Sequence, residues 1–326
     1  MGFYEPNLMN EIIKVKSGKD ILKLADDDKK TPRQIFGRFL YEGEIGILFG
    51  DSNTGKTILA NEIAFFAAGG GHEWKDMTSP NIPTMYVDME MTQKQFIQRY
   101  HNAGDYIPDN YTRVEVGSSA GDEKVFAALR TKIVQMQALG KDAPKLIIID
   151  NITNGFVSIF SASQMRGLIG DLKTLRDKFG LTILLIAHCP KRRPNTPLTQ
   201  DSLGGSSVII KLADSAFAIG NTIHGDDIKY IKQVKVRADE KMEDVLTVQL
   251  TDEPYLSFKP IGYEWEQFCL EKCYSIDLTS LITPEQEIKL ANLLPDTSKA
   301  YWEIAAEVGL TMTQVIQYSI KSGLRC

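Results

Sequence analysis

At 326 residues, with 43% hydrophobic and 24% charged side chains, the chain has the make-up of a globular protein able to bury a substantial core, with neither a disordered nor a fibrous bias. A formal net charge of −5 argues against a protein that coats nucleic acid non-specifically, while leaving room for a local basic channel. The longest apolar run, 181–187, is far shorter than the ~20 residues of a membrane helix, and the first residues are charged, so the reading is a cytoplasmic protein with no membrane partner. Cys269 and Cys273 are four apart, but with no second pair or nearby histidines they read as two thiols rather than as a zinc site.

In chain order, residues 1–40 read as a charged entry arm, with a solvated turn at Asp26–Lys30. A short apolar strand, Ile45–Phe49, then leads into Gly50-Asp51-Ser52-Asn53-Thr54-Gly55-Lys56-Thr57, and a helix follows from Ile58 to Phe66. Strands and helices alternate beyond it: strand 84–88, helix 93–102, strand 113–116, helix 123–138, strand 146–150, helix 163–179 and strand 182–188. The run Leu146–Asp150 is continuously apolar up to its last residue, as in a strand buried on both faces of a parallel sheet. A loop rich in Pro, Asn, Thr and Gly spans 190–205. After it come a short helix, a strand at 215–219 and three further β-rich stretches, 229–237, 245–250 and 256–258, with no crossover helix between them, so they should pair antiparallel at the sheet's edge. Residues 264–282 are ambiguous, and from Thr283 onward only short helices are predicted. The expected architecture is α/β: a mostly parallel sheet covered by helices on both faces, with antiparallel edge strands and a small C-terminal helical module. The boundaries follow as an arm 1–40, a core 41–262, a linker 263–282 and a module 283–326.

The octapeptide fits the phosphate-binding pattern G-x-x-x-x-G-K-[ST] at every fixed position. Between a strand and a helix, such a loop turns successive backbone N–H groups and the positive end of the helix dipole toward one point. Gly50 through Ile58 are therefore the candidate nucleotide contacts, with Lys56 reaching the β- and γ-phosphates and the Thr57 hydroxyl on Mg²⁺. Asp150, ending the most apolar strand, is the second candidate metal ligand, although an Asp ending a strand also serves as a cap. Glu90, just past the strand that follows the phosphate-loop helix, is placed to activate a water, or else to cap the next helix with Asp88 facing solvent. His188 ends the strand after that of Asp150. Lys235 and Arg237 close an alternating stretch, Tyr230–Arg237, in which lysines could also serve to protect a sheet edge.

Asp88-Met89-Glu90-Met91 resembles the S-L-E-M segment of RecA-like hexameric helicases, and the order of Glu-, Asp- and His-ending strands, Gly-rich loop and K-x-R strand is similar to that of the plasmid-type replicative members of that group. The resemblance covers roughly residues 35–260 and implies a RecA-like P-loop NTPase using ATP and Mg²⁺. It implies further that Glu90 is the catalytic base, that His188 senses the γ-phosphate, and that Lys235 and Arg237 reach a neighbour's site in a hexamer or filament. Nothing like the guanine-reading N/T-K-x-D is present, which favours ATP. By the same resemblance, Lys191-Arg192-Arg193, taken to lie on the sheet's far side, is a single-stranded DNA contact, and Asn154–Ser158 is a second pore loop. Residues 301–315 resemble a helix-turn-helix, but its second helix offers only Gln314, Gln317, Tyr318 and Lys321 to a groove, and the module has no cationic surplus. The expected function is a DNA-acting ATP-hydrolysing motor, the alternative a regulatory DNA-binding ATPase switch without helicase activity.

Overall fold

The structure is a computed structural model that describes residues 17–19, 32–74, 76–116, 122–152, 162–271 and 277–325, without the side chains of 122–124, 162–165 and 204–208. The chain divides into Met1–Arg33 and Gln34–Cys326, and all elements named below belong to the second unit. The arm's Asp26–Lys30 run, the loop Asn154–Ser158 and Cys273 lie outside the described residues.

A nine-stranded sheet organises the unit. Its parallel part comprises β3 (Ile45–Gly50), β4 (Thr84–Asp88), β5 (Tyr111–Glu115), β6 (Leu146–Asp150), β7 (Thr182–His188) and β8 (Ser215–Thr222), in the spatial order β8-β3-β7-β6-β4-β5. Every residue of β3, β4 and β6 is buried, which is why these strands read as continuous apolar runs rather than alternating ones. Alternation survives in which face each residue serves. Ile45, Ile47, Phe49, Ile147, Ile149, Ile183 and Leu185 pack toward α3 (Asp122–Met136) and α4 (Ala162–Phe179), while Leu48, Ile148, Leu184 and Ile186 face α1 (Lys56–Ala67). A two-stranded hairpin, β1 (Gln34–Phe36) with β2 (Leu40–Tyr41), brings Phe36 and Phe39 onto the α1 face, where they meet Trp74 and Phe217. The helix predicted over 93–102 is α2 (Gln93–Tyr100), opened by Thr92 and Gln95 in a capping box.

From β8 the sheet continues as an antiparallel meander through β9 (Gly225–Lys235), β10 (Val245–Thr251) and β11 (Ser257–Glu264). The last strand is much longer than the three residues expected from 256–258, because Lys259, Pro260 and Gly262 interrupt the apolar pattern that a sequence reading follows. The ambiguous stretch contains α6 (Glu266–Leu270), which follows the short α5 (Ser207–Leu212), and a 3₁₀ turn at Leu278–Leu281. The C-terminal module is α7 (Pro284–Leu293), α8 (Tyr301–Val308) and α9 (Met312–Ser322), around a core of Ile282, Leu290, Leu294, Ile304, Val308 and Val315. Gly309, at φ 74°, ends α8 in the left-handed conformation that glycine tolerates best, and Thr311 opens α9 with a capping box to Gln314. The buried Glu264 of β11 accepts a hydrogen bond from the Thr313 N–H at 3.2 Å, tying this module to the sheet. The fold is that of a RecA-like P-loop protein with antiparallel edge strands and a C-terminal helical module. Among the described residues no helix is long and apolar enough to cross a membrane.

Candidate active site

Register places the carboxyl ends of four parallel strands along one rim: Gly50 of β3 is level with His188 of β7, and Asp88 of β4 with Asp150 of β6. The phosphate loop leaves β3 at this rim. Gly55, at φ 90°, makes its turn, and a methyl group there would sit 2.6 Å from Phe258 Cζ, so both conformation and space require glycine. Lys56 is buried at the first position of α1, and its Nζ donates to the Asp51 carbonyl at 2.7 Å. Burial pulls the Lys56 ammonium below its ordinary pKa, partly countered by Asp150, Glu90 and Asp51. Thr54, Lys56, Glu90, Arg99, His188 and Phe258 line a cleft of about 400 Å³.

Asp88 is no solvent-facing residue. It is 1% exposed, accepts from the Glu90 and Met91 backbone N–H groups at 3.0 and 2.8 Å, and pairs with Arg113 at 2.9 Å. Arg113 also donates to the Met91 carbonyl at 2.6 Å, so the turn carrying Glu90 is held from both sides. Glu90 does not cap the following helix, since Thr92 does. Its carboxylate instead accepts from the Asn151 amide, whose nitrogen is also 2.8 Å from His188 Nε2, and His188 Nε2 lies 3.5 Å from Glu90 Oε1. Hydrogen bonding with His188 foremost, helped by the Lys56 ammonium and the Asn151 amide and opposed by burial, holds Glu90 below the usual carboxylate range, so it is ionised near neutrality. Side chains 26% (Glu90) and 30% (His188) exposed leave room for an attacking water. Asn151 is the residue the sequence reading missed, and its signal is its place immediately after Asp150 at a strand end.

Asp150 is fully buried. Its Oδ2 accepts from Tyr86 Oη at 2.6 Å, while Oδ1 is buried without a hydrogen-bond partner. Burial raises its pKa to about 6, against the pull of the Tyr86 hydroxyl. An orphaned carboxylate oxygen at this rim fits a Mg²⁺ ion arriving with nucleotide, which would need few protein ligands. No cluster of three acidic, His or Cys side chains that would cage a metal by itself exists among the described residues.

The remaining predicted residues lie elsewhere. The loop after β7 does not run on the sheet's far side: the Cys189 N–H donates to the Gly50 carbonyl at 3.0 Å, so it starts beside the phosphate loop. Arg192 turns inward and grips Asp51 through Nε and Nη2, at 2.9 Å each. Lys191 and Arg193 are exposed. Lys235 and Arg237 lie toward the opposite rim of the sheet from the phosphate loop: Lys235 is level with Ala216 near the start of β8, its Nζ donating to the carbonyls of Ile210 and Ala213 at 2.7 Å each, and the exposed Arg237 pairs with Asp214 at 3.0 Å. For Lys229 and Lys232 the edge-protection reading does not apply. Lys229 is buried and bonded to Asn221, Lys232 pairs with Glu266, and β10 covers β9 over Ile228–Ile231. In the C-terminal module, the Gln314 side chain accepts from the Thr311 N–H at 3.0 Å in the cap of α9, Gln317 accepts from the Leu278 N–H at 2.9 Å, and Lys321 pairs with Asp277 at 3.1 Å. Gln314, Gln317 and Lys321 thus have partners within the chain, and Tyr318 packs against the module's core.

No curated protein matches the chain. A family model described as an AAA domain, AAA_25, matches residues 16–194, more than half of the chain, and spans the phosphate loop and the strands that deliver Glu90, Asp150 and His188. The chain belongs to this AAA domain family and is a P-loop ATPase.

Proposed function

We propose that the protein is a Mg·ATP-hydrolysing RecA-like motor acting on single-stranded DNA, assembled as a ring or filament, of the replicative-helicase or DNA-remodelling kind found on plasmids and mobile elements. The observation that carries the reading is the position of Arg237. It pairs with Asp214, whose backbone N–H bonds Ile45 at the foot of β3, and the phosphate loop begins at the other end of that strand, about 17 Å away at ~3.3 Å per residue. A guanidinium there is out of reach of its own chain's γ-phosphate and, exposed at the surface, would serve a neighbour's by exchanging Asp214 for it, which makes hydrolysis depend on assembly. In each site Glu90 orients and deprotonates the attacking water, with Asn151 and His188 holding its carboxylate, and Lys56 neutralises phosphate charge. Mg²⁺, when bound with ATP, offsets the charge of the β- and γ-phosphate oxygens, with Thr57 and Asp150 as the residues that would hold it.

Support for the DNA part comes from Lys191 and Arg193, exposed on the loop that leaves the His188 strand. Six copies around a ring would supply a basic channel that the acidic whole lacks. The test is a salt titration of fluorescent single-stranded oligonucleotide binding with a non-hydrolysable ATP analogue. Replacing Lys191 and Arg193 by Ala should flatten the log–log salt slope by about 1.4, at ~0.7 for each single-strand phosphate no longer neutralised. An unchanged slope removes this loop from DNA binding, and an ATPase rate indifferent to single-stranded DNA removes the motor reading. The regulatory-switch alternative has little cationic surface to use in α9, whose single cation is Lys321, paired with Asp277.

A further inference from the structure

Asp51, second in the phosphate loop, is held at both ends. Its carbonyl accepts from Thr54 Oγ1 at 2.9 Å and from Lys56 Nζ at 2.7 Å. Its carboxylate is gripped by Arg192. Arg192 in turn commits its remaining terminal nitrogen, Nη1, to the Thr196 carbonyl, the Thr196 hydroxyl and the Pro197 carbonyl at 3.0, 3.2 and 3.2 Å. One half-buried guanidinium therefore closes the 192–197 turn and fastens it to the phosphate loop. Two-point charge-assisted pairing of this kind is directional as well as strong.

Lys56 is also the group that arriving phosphates must recruit. When its ammonium moves to β- and γ-phosphate oxygens, the Asp51 carbonyl gives up one of its two donors, and the Asp51 carboxylate faces new negative charge nearby. Both changes act on the residue that anchors Arg192. We propose that the Asp51–Arg192 pair is a nucleotide-operated latch: it holds residues 191–197 against the phosphate loop while Lys56 rests on the Asp51 carbonyl, and yields when phosphates take Lys56 away. Arg192 is then a positioning residue that reports nucleotide occupancy to the segment carrying Lys191 and Arg193. The latch rests on nucleotide binding by the phosphate loop and does not require DNA, so it stands or falls separately from the motor reading.

Hydrogen–deuterium exchange on the full chain, read on peptides spanning 190–199, tests it. In the wild type, a saturating non-hydrolysable ATP analogue should speed exchange there about tenfold, since a part-buried bidentate pair falls above the usual range for surface pairs. Lys56→Ala, which removes the donor from the Asp51 carbonyl, should show the fast rate with no nucleotide at all. Asp51→Asn and Arg192→Gln approach the pair from either side. Each should exchange fast with or without the analogue, with analogue binding followed separately by fluorescence. A wild type whose exchange ignores the analogue would reduce the pair to a static tie and overturn the proposal. So would a Lys56→Ala protein that stays slow, or an Arg192→Gln protein that keeps the wild-type response.

Discussion

Asp88→Asn isolates what holds the candidate base in place. The substitution keeps the shape and one carbonyl oxygen, so the turn N–H groups of Glu90 and Met91 retain an acceptor, but it deletes the charge opposite Arg113. Asp88 is 1% exposed and the Arg113 side chain 13%, so removal of one partner leaves a largely desolvated guanidinium, for which the usual cost is ~3–5 kcal/mol. Arg113 retains Glu115 at 3.1 Å and the Met91 carbonyl, which places the expected destabilisation at the lower end, about 3 kcal/mol. Urea unfolding should show this as a lower midpoint with an unchanged slope. Because the same carboxylate fixes the Glu90 backbone, kcat should fall by at least ~10-fold while nucleotide affinity, set at Lys56 and the loop, changes little. A destabilisation below about 1 kcal/mol with wild-type kcat would refute the claim that the Asp88–Arg113 pair positions Glu90.

Glu90→Gln should bind ATP normally and hydrolyse it ~10²–10⁴-fold more slowly, the range for removal of a general base, and a wild-type rate would put the base elsewhere. Glu62, buried in α1 and bonded to Tyr255 at 2.7 Å, has its pKa raised by burial to about 7. Between its ordinary value of 4.5 and 7 the native state holds the proton more tightly than the unfolded chain, so its contribution is full at low pH and stability falls as pH rises, by up to about 3 kcal/mol. Glu62→Gln should flatten that part of the stability profile, and an unchanged profile over pH 4.5–7 would show that Glu62 does not titrate there.

What was legible in the sequence was local or periodic. The octapeptide, its flanking strand and helix, and the fully buried runs such as Leu146–Asp150 depend on neighbours along the chain, and each stands where its pattern put it. What was not legible is pairing across the chain. Arg192 reads as one of three adjacent DNA-contacting cations until Asp51, 141 positions earlier, is found against it. Asp88 reads as a strand-end polar residue until Arg113 from the neighbouring strand arrives, and Asn151 gains meaning only once Glu90 and His188 converge on it. The meander was legible in outline but not in reach, because strand lengths there follow hydrogen-bond pairing with β10 rather than apolar content.

The central claim is that each ATP site is completed by Arg237 of a neighbouring copy, and a mixing experiment tests it most directly. Arg237→Ala keeps an intact pocket but supplies no arginine, whereas Lys56→Ala supplies the arginine but has no working phosphate loop. Each alone should be nearly inactive, and equimolar mixing should restore a substantial fraction of wild-type turnover, rising with total protein concentration. A mixture no more active than its parents, or an Arg237→Ala protein with wild-type turnover at every concentration, would contradict it.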